Sequence, residues 1–440
     1  MPWFGKKLTR CSAALGALLG LLPVLSWPQQ FSKSDRDLVQ DMLRNVARDV
    51  QKNYYDPKFH GVDWDATVRK AKGNIDKADS LNGAVSEIAA ALDSLNDSGT
   101  FFVPPPRTYV HDYGFTMHLI GEGCFVTRVR PGSDAEKKGL KAGDQILAIN
   151  EHRLSRKTLW RVFYIYGDLD PQPGLRLTLT DEGGQQRQLE VGAKIETSSG
   201  VRYFLQHGLG QRIRDWQDVD DSMVPRYFEK GDSLLVVKIP YPSALDVDRM
   251  IRKMRKHKGV VIDLRGSGGG RPEILKQMLG GIFEHEVKIY DRIGKASTRS
   301  ESAVGRHHDA FTGRLAVLID SQSAEASELF ARVVQMEKRG FIIGDRSTGH
   351  VDLSKGFFYE TYLDSEVFYR VFVTDANLVM TDGKSLEHVG VEPDITVLPT
   401  PHDLARGRDP AMAKAAALVG GQLSPEEAGR IFPDAESPQH

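Results

Sequence analysis

The sequence has little of what marks nucleic-acid-binding, disulfide-rich or disordered proteins. It has two cysteines in 440 residues, which is too few for a disulfide framework. Its 58 lysines and arginines nearly balance 59 acidic residues, and no long basic block is present, so a polyanionic partner is not expected. Hydrophobic residues make up 40% of the chain, an ordinary globular value that excludes wholesale disorder.

The N-terminus carries the layout of a secretory signal peptide. Three basic residues precede an apolar run at residues 13–25, which is too short to span a bilayer comfortably, and Ser26 offers a small residue for cleavage. We therefore predict that residues 1–26 are removed and that the protein is periplasmic or secreted, with Cys124 as a packed core thiol. The alternatives are a buried helix, which Pro23 would break, and an uncleaved anchor.

Residues 30–108 are predicted to form a small helical domain. Apolar residues recur at helical spacing from Ser34 to Tyr54, and Ser34 with Asp37 would form a capping box. A second helical pattern follows Asn82.

Short strand-like runs separated by turns fill residues 109–195. Within them, residues 129–150 read V-x-P-G-S-x-A-x-x-x-G-L-x-x-G-D-x-I-L-x-I-N, a short helix between glycine turns followed by a strand. This run closely resembles a PDZ domain, a β-rich fold, and we predict that residues 109–195 form one.

The PDZ resemblance implies a peptide-binding groove. In that family a loop presents backbone N–H groups to a terminal carboxylate, and the peptide adds to the sheet edge as an extra strand. The alternative is a PDZ fold that packs only against its own chain. The implied loop and groove residues are Gly114, Phe115, Thr116, Met117, Leu159 and Phe163.

Residues 196–400 are predicted to form an α/β core, followed by a helical tail at 401–440. Apolar runs without polar alternation are typical of strands that are covered on both faces. Such runs lie at residues 234–237, 260–264, 315–319 and 341–343. The predicted fold class is therefore α/β and multidomain, with a helical N-terminal domain and a β-rich PDZ domain.

Five short motifs in register resemble the C-terminal processing (tail-specific) serine protease family, whose core is ClpP/crotonase-like. They cover most of residues 35–400, which makes chance similarity improbable. The motifs are L-N-D-S-G-T at 95–100, I-D-L-R-G-S-G-G-G at 262–270, S-A-E-A-S-E at 323–328, G-D-R-S-T-G-H at 344–350 and V-G-V-E-P-D at 389–394.

The resemblance implies the role of each catalytic position, and this chain departs from the pattern at all of them. The family's serine nucleophile corresponds to Glu325, and its lysine base corresponds to His350. The histidine base of a related tricorn-type branch corresponds to Gly99. An oxyanion hole would be formed by backbone N–H groups, for which the candidates are Gly269, Gly270 and Ala326.

These substitutions predict a pseudoenzyme that binds an extended polypeptide or a protein C-terminus and needs no metal or cofactor. An adaptor or scaffold role, or regulation of an active paralogue, would follow, and the expected protein partners are that paralogue or further copies of this chain in a homo-oligomer. The competing interpretation is an active peptidase that uses Ser323, Ser327 or a Glu325–His350 pair. A third interpretation treats Glu325 as an ordinary acidic residue in the first turn of a helix.

Overall fold

A computed structural model of the chain describes residues 31–107, 109–197, 225–239, 243–268, 270–362 and 366–432. The predicted signal peptide, and Gly269, lie outside these ranges. The described helices are α1 (Lys33–Asn53), α2 (Trp64–Ile75), α3 (Leu81–Asp93), α4 (Asp134–Lys137), α5 (Leu159–Tyr164), α6 (Ala244–Met254), α7 (Pro272–Gly280), α8 (Ala326–Met336), α9 (Pro401–Ala405), α10 (Pro410–Leu418) and α11 (Pro425–Ala428).

The strands within the same ranges form four sheets. They are β1 (Phe101–Val103), β2 (Tyr109–Asp112), β3 (Phe115–Ile120), β4 (Gly123–Val129), β5 (Gln145–Ile149), β6 (His152–Arg153), β7 (Gly174–Thr180), β8 (Gln186–Gly192), β9 (Lys194–Thr197), β10 (Arg226–Lys230), β11 (Leu234–Lys238), β12 (Gly259–Asp263), β13 (Val287–Gly294), β14 (Thr298–Ala303), β15 (Arg314–Ile319), β16 (Phe341–Gly344), β17 (Leu353–Tyr362), β18 (Glu366–Met380) and β19 (Ile395–Thr396).

The N-terminal helices α1 to α3 pack together. The sequence predicted α1 and α3, whereas α2 was not predicted. The predicted capping box is wrong, however, because α1 begins two residues earlier, with Ser32 as its N-cap and Asp35 as the reciprocal partner. Ser34 therefore lies inside the helix. The helices share their hydrophobic core with Phe102 of β1 and Val371 of β18, so they rest on a sheet rather than standing alone.

The PDZ region forms a sheet in the order β3-β4-β5-β7-β8, with β6 paired to β5. Its core includes Cys124, which is 2% exposed, and burial raises the pKa of this thiol. The packed cysteine predicted from the sequence is therefore confirmed. An antiparallel ribbon of β2 and β9 flanks the sheet.

The core sheet has the order β10-β11-β12-β15-β16-β19. Its strands β11, β12, β15, β16 and β19 run parallel to one another, and β10 is antiparallel to β11. The four predicted apolar runs become β11, β12, β15 and β16. One face packs against α6, α7 and α8, and the other packs against α10 and α11. Because the strands are parallel, the turns that follow β12, β15 and β16 meet at one edge of the sheet.

A second sheet, of order β1-β18-β13-β14 with β17 paired to β18, is the main feature that the sequence did not predict. Its longest strand, β18, pairs with β1, β13 and β17 along different parts of its length. The predicted helical tail is present as α9, α10 and α11 as far as residue 432, beyond which the chain lies outside the described residues.

Candidate active site at the carboxyl edge of the parallel sheet

Glu325 is the N-cap residue of α8 and has φ +51° and ψ −123°, a backbone conformation that residues with a Cβ rarely adopt. Its N–H donates to the His350 carbonyl at 2.8 Å, and its carbonyl accepts from the N–H of Glu328 at 3.1 Å. Its side chain is exposed and caps nothing. The first-turn placement considered from the sequence is therefore corrected: Glu325 lies one residue earlier, in a strained turn.

The helix start presents a free N–H donor beside this turn. The N–H of Ala326 has no acceptor among the described residues, whereas Ala324 donates to the Ser267 carbonyl at 3.0 Å and ties the helix start to the turn after β12. Gly270 lines the same recess as Ala326, so two of the three predicted oxyanion candidates lie together. The third, Gly269, is outside the described residues.

The recess next to the helix start is small and mostly apolar, and its space counted together with the open solvent at its mouth is about 300 Å³. Ser327 is 4% exposed and lines it, and its hydroxyl has no hydrogen-bond partner in the described chain. The lining residues are Ile239, Leu264, Ser267, Gly270, Ile274, Leu275, Met278, Ala326, Ser327 and Phe330.

Ser323, the other serine considered as a nucleophile, is fully buried. Its hydroxyl donates to the Leu264 carbonyl at 2.9 Å and lies 3.1 Å from a carboxylate oxygen of Asp320. The Asp320 N–H donates to the same hydroxyl at 3.0 Å. Ser323 therefore holds two turns of the sheet edge together, and its hydroxyl does not face the recess.

His350 lies on the turn after β16, which a buried carboxylate on α8 holds in place. Glu328 accepts hydrogen bonds from the Ser347 hydroxyl at 2.6 Å and from the N–H groups of Gly349 and His350 at 2.6 and 2.9 Å. Burial raises the pKa of Glu328 to about 7. In the described structure the His350 ring and the Glu325 carboxylate form neither a hydrogen bond nor an ion pair; their contact is through the backbone.

The position of Gly99 has no room for a side chain. A Cβ built there would lie 2.6 Å from the Thr374 hydroxyl oxygen, on β18. Asp97 organises the turn, because it accepts from the N–H groups of Gly99 and Thr100 at 3.1 and 2.7 Å and also from the Thr374 hydroxyl. The space in which a histidine would stand is thus occupied by a hydrogen-bonded threonine.

A buried acidic cluster lies behind the His350 turn. Glu387 accepts from the Ser98 N–H at 2.8 Å and from the Val351 N–H at 3.2 Å. Asp352 is 6% exposed, and one of its carboxylate oxygens has no partner. Burial, together with the charges of Glu387 and Asp97, raises the pKa of Asp352 to about 8, so it is mostly protonated at neutral pH.

In the PDZ domain, three of the predicted groove residues, Met117, Leu159 and Phe163, are buried in the domain core at 0–4% exposure. Phe115 and Thr116 are half-buried. Gly114 has φ +74°, and its N–H already donates to an Asp112 carboxylate oxygen at 2.9 Å. Within the described residues, the strand β3, on which the PDZ resemblance places the groove, pairs with β4 alone, at one edge of the sheet.

The PDZ domain contacts the same turns that form the candidate active site. The Ser321 hydroxyl donates to the Leu119 carbonyl at 2.5 Å, and the Gly121 N–H donates to Asp345 at 2.8 Å. Arg156 forms an ion pair with Asp345 at 3.0 Å and donates to the Arg346 carbonyl at 3.0 Å. Sequence reasoning missed these contacts.

Comparison with known proteins agrees with the fold and the motifs. Residues 233–397 match peptidase family S41, residues 106–162 match the PDZ domain, and residues 36–72 match the tricorn protease C1 domain. Such a combination defines a serine-protease-type α/β protein with a PDZ domain. Its α/β core matches peptidase family S41, and the chain is similar to tail-specific, C-terminal processing proteases.

Individual relatives are distant. The tail-specific protease of Haemophilus influenzae is 26% identical over 297 residues, covering 64% of this chain and 40% of that protein. The chloroplastic C-terminal processing peptidase of Tetradesmus obliquus is 25% identical over 385 residues, covering 82% of this chain and 78% of that protein. The chain thus spans well under two thirds of the first of these relatives.

Solved structures share the fold. Mature CPAF superposes with a TM-score of 0.62 at 12% identity, covering 84% of this chain and 94% of that chain. The photosystem II D1 C-terminal processing protease gives a TM-score of 0.50 at 20% identity, covering 88% of this chain and 99% of that chain.

Among the helices of the described residues, none has both the length and the hydropathy that a membrane-spanning segment needs.

Proposed function

We propose that this protein is an exported, catalytically lapsed member of the tail-specific protease family that binds extended polypeptides or protein C-termini. One observation carries the proposal. The residue in the strained turn at the start of α8, where the resemblance places the nucleophile, is Glu325. The Ala326 N–H beside it has no acceptor among the described residues, and Ala326 lines an apolar recess.

A glutamate in this turn opposes the chemistry that an oxyanion hole supports. The transition state of acyl transfer develops negative charge, and a carboxylate beside the donors repels that charge. Loss of the nucleophile alone removes orders of magnitude of rate in serine proteases. Export rests on the N-terminal pattern, and binding rests on the recess and on the unpaired edge of β3. Adaptor function and regulation of an active paralogue would follow from the same binding.

The alternative, a peptidase with a rearranged site, has less support. Ser323 is buried and committed to structural hydrogen bonds, and Glu325 and His350 have no side-chain contact. Ser327 lines the recess but has no base within hydrogen-bonding distance in the described chain.

The test is degradation of unfolded, fluorescently labelled casein by the parent protein and by Glu325→Ser and Glu325→Ser/His350→Lys variants. We expect the parent to be inert and the double variant to cleave, because serine and lysine would then stand at the positions that correspond to the family's nucleophile and base. Binding of a labelled peptide to the parent, measured by fluorescence anisotropy, checks the other half of the proposal. Cleavage by the parent that is abolished in Glu325→Ala would show that Glu325 belongs to the chemistry and that the proposal is wrong.

A further inference from the structure

The loop that a PDZ domain uses to bind a terminal carboxylate already holds a carboxylate of this chain. Asp112, the last residue of β2, accepts a hydrogen bond from the Gly114 N–H at 2.9 Å through one oxygen and forms an ion pair with Arg130 through the other. The Gly114 carbonyl is engaged as well, because it accepts from the Arg130 N–H at 2.8 Å. An anion of the chain itself therefore occupies the N–H group that the PDZ resemblance assigns to a ligand.

The groove beside this loop is also filled from within the domain. The side chains of Met117, Leu159 and Phe163, which the resemblance assigns to the groove, lie in the domain core at 0–4% exposure. Tyr113, in the loop itself, is 5% exposed, and its hydroxyl donates to the Gln172 carbonyl at 2.7 Å. A terminal residue would therefore find the Gly114 N–H occupied and the apolar side chains already packed.

The edge of β3 offers a different mode of binding, through the backbone. Phe115 of β3 lies opposite Val129 of β4, and the preceding position is hydrogen-bonded. Because hydrogen-bonded and non-hydrogen-bonded pairs alternate in an antiparallel ladder, the Phe115 N–H and carbonyl point away from β4. In the described chain β3 pairs with no other strand, and of the predicted loop and groove residues Phe115 and Thr116 are the two that are not buried. An added strand can therefore reach this edge.

We propose that Asp112 is a specificity-determining residue that makes the PDZ loop unavailable to free C-terminal carboxylates, and that the domain binds an internal segment of an extended polypeptide as an added strand on β3. A terminal carboxylate could bind only by displacing Asp112 from Gly114 and Arg130, which would leave the Asp112 carboxylate without these partners. An internal segment brings no carboxylate, and its backbone hydrogen bonds to β3 leave the loop as it is. The inference rests on the proposed peptide-binding function and selects, for the PDZ domain, one of its two ligand classes.

The experiment compares two forms of one fluorescein-labelled peptide by fluorescence anisotropy with the full chain. The peptide is a decapeptide of alternating valine and threonine with one central lysine, and its C-terminus is either amidated or a free carboxylate. We expect the parent to bind the free acid no more tightly than the amide, within about 2-fold, because neither form uses its C-terminus. Bound amide should slow hydrogen exchange at residues 115–120 of β3 and not at residues 186–190 of β8, the opposite edge of the sheet.

Matched variants test the role of Asp112. Asp112→Ala should favour the free acid by about 5- to 10-fold, because the Gly114 N–H and the Arg130 guanidinium are then both available to a ligand carboxylate. Asp112→Asn keeps an oxygen that can accept from Gly114 but removes the ion pair, so it should favour the free acid by about 2-fold. This second variant decides the question if the first does not fold. Glu190→Ala removes an exposed carboxylate from β8 and should leave both affinities as in the parent.

The outcomes that contradict the inference differ from those that contradict the proposed function. A parent that prefers the free acid, equal affinities of the two forms in both Asp112 variants, or protection at residues 186–190 instead of 115–120 would each overturn the inference while leaving peptide binding intact. Absence of binding of both forms to the parent would also contradict the inference. If labelled unfolded casein does not bind either, the proposed function itself is wrong.

Discussion

At the scale of single residues, the candidate site combines an exposed Glu325 in a strained turn with buried carboxyl groups of unusual pKa. Under the proposed function, Glu325 stands at the position of the nucleophile and Gly99 at that of the second base, where a side chain would meet Thr374. Behind the turn that carries His350, two buried carboxyl groups have raised pKa values: Glu328 at about 7 and Asp352 at about 8. Burial is the largest cause in each case, and the negative charge of Glu387 adds to it.

The raised pKa of Asp352 predicts a pH-dependent stability of definite sign. Between about pH 4 and pH 8 the folded protein keeps a proton that the unfolded chain has lost, so this group makes the free energy of unfolding fall as the pH rises. The slope is at most about 1.4 kcal/mol per pH unit. Urea unfolding at pH 5, 6, 7 and 8 should show a shallower fall, or a rise, in Asp352→Asn compared with the parent.

The exposed Asp79→Asn variant is the control for that comparison, because Asp79 lies on the surface between α2 and α3. The free energy of unfolding of this variant should change with pH in parallel with that of the parent. Profiles of the parent and of Asp352→Asn that are parallel over the whole range would contradict the expectation that Asp352 holds a proton in the folded state.

At the scale of elements, the site depends on how strand β18 packs against the turn between α3 and β1. Thr374 of β18 fills the space beside Gly99, and its hydroxyl bonds to Asp97. The Thr100 hydroxyl donates to that of Thr374 at 3.1 Å and accepts from its N–H at 2.9 Å. A strand far along the chain therefore determines which residue position 99 can hold.

Gly99→Ala is expected to destabilise the protein by about 1–3 kcal/mol, because the added Cβ meets the Thr374 hydroxyl oxygen at 2.6 Å and the hydrogen-bonded pair must shift. The measurement is the free energy of unfolding from urea titration. Gly73→Ala is the matched control: it lies in α2, nothing is within 4 Å of the added Cβ, and it should stabilise by about 0.5–1 kcal/mol. Equal effects of the two substitutions would contradict this account of Gly99.

At the scale of the whole molecule, the PDZ domain and the α/β core meet at the turns that flank Glu325 and His350. Arg156 is the main polar link, since it contacts Asp345 and the carbonyls of Gly121 and Arg346. The Ser321 hydroxyl bonds to the Leu119 carbonyl of β3 beside it. The arrangement ties the position of the PDZ domain to the geometry of the site.

Arg156→Ala is therefore expected to loosen the PDZ domain from the core without unfolding either part. Hydrogen exchange at residues 119–122 and 345–348 should become faster, because the carboxylate of Asp345 and two carbonyls lose their partner. Arg153→Ala, at an exposed position three residues earlier, is the control and should leave exchange unchanged. Unchanged exchange in Arg156→Ala would show that other contacts hold the two parts together.

The sequence alone was enough to predict the family resemblance, the PDZ domain and the parallel strands of the core. Both kinds of signal are local. A strand that is buried on both faces requires a continuous apolar run such as 260–264, and tight turns require glycines at fixed spacing. It also predicted that Glu325, His350 and Gly99 are substituted catalytic positions, since that prediction is read directly from the motifs, and it stays a prediction.

What surrounds these positions depends on the tertiary structure and could not be predicted from the sequence. The strained conformation of Glu325, the burial of Ser323, the threonine beside Gly99 and the protonated Asp352 all depend on contacts between segments that are distant in sequence. Glu328 belongs to one of the motifs in the sequence, but the sequence does not show that it holds the His350 turn in place. That role is defined by three hydrogen bonds to the turn, which the tertiary structure brings together. Local patterns determine elements, whereas burial, charge and space at a site are set by how those elements pack.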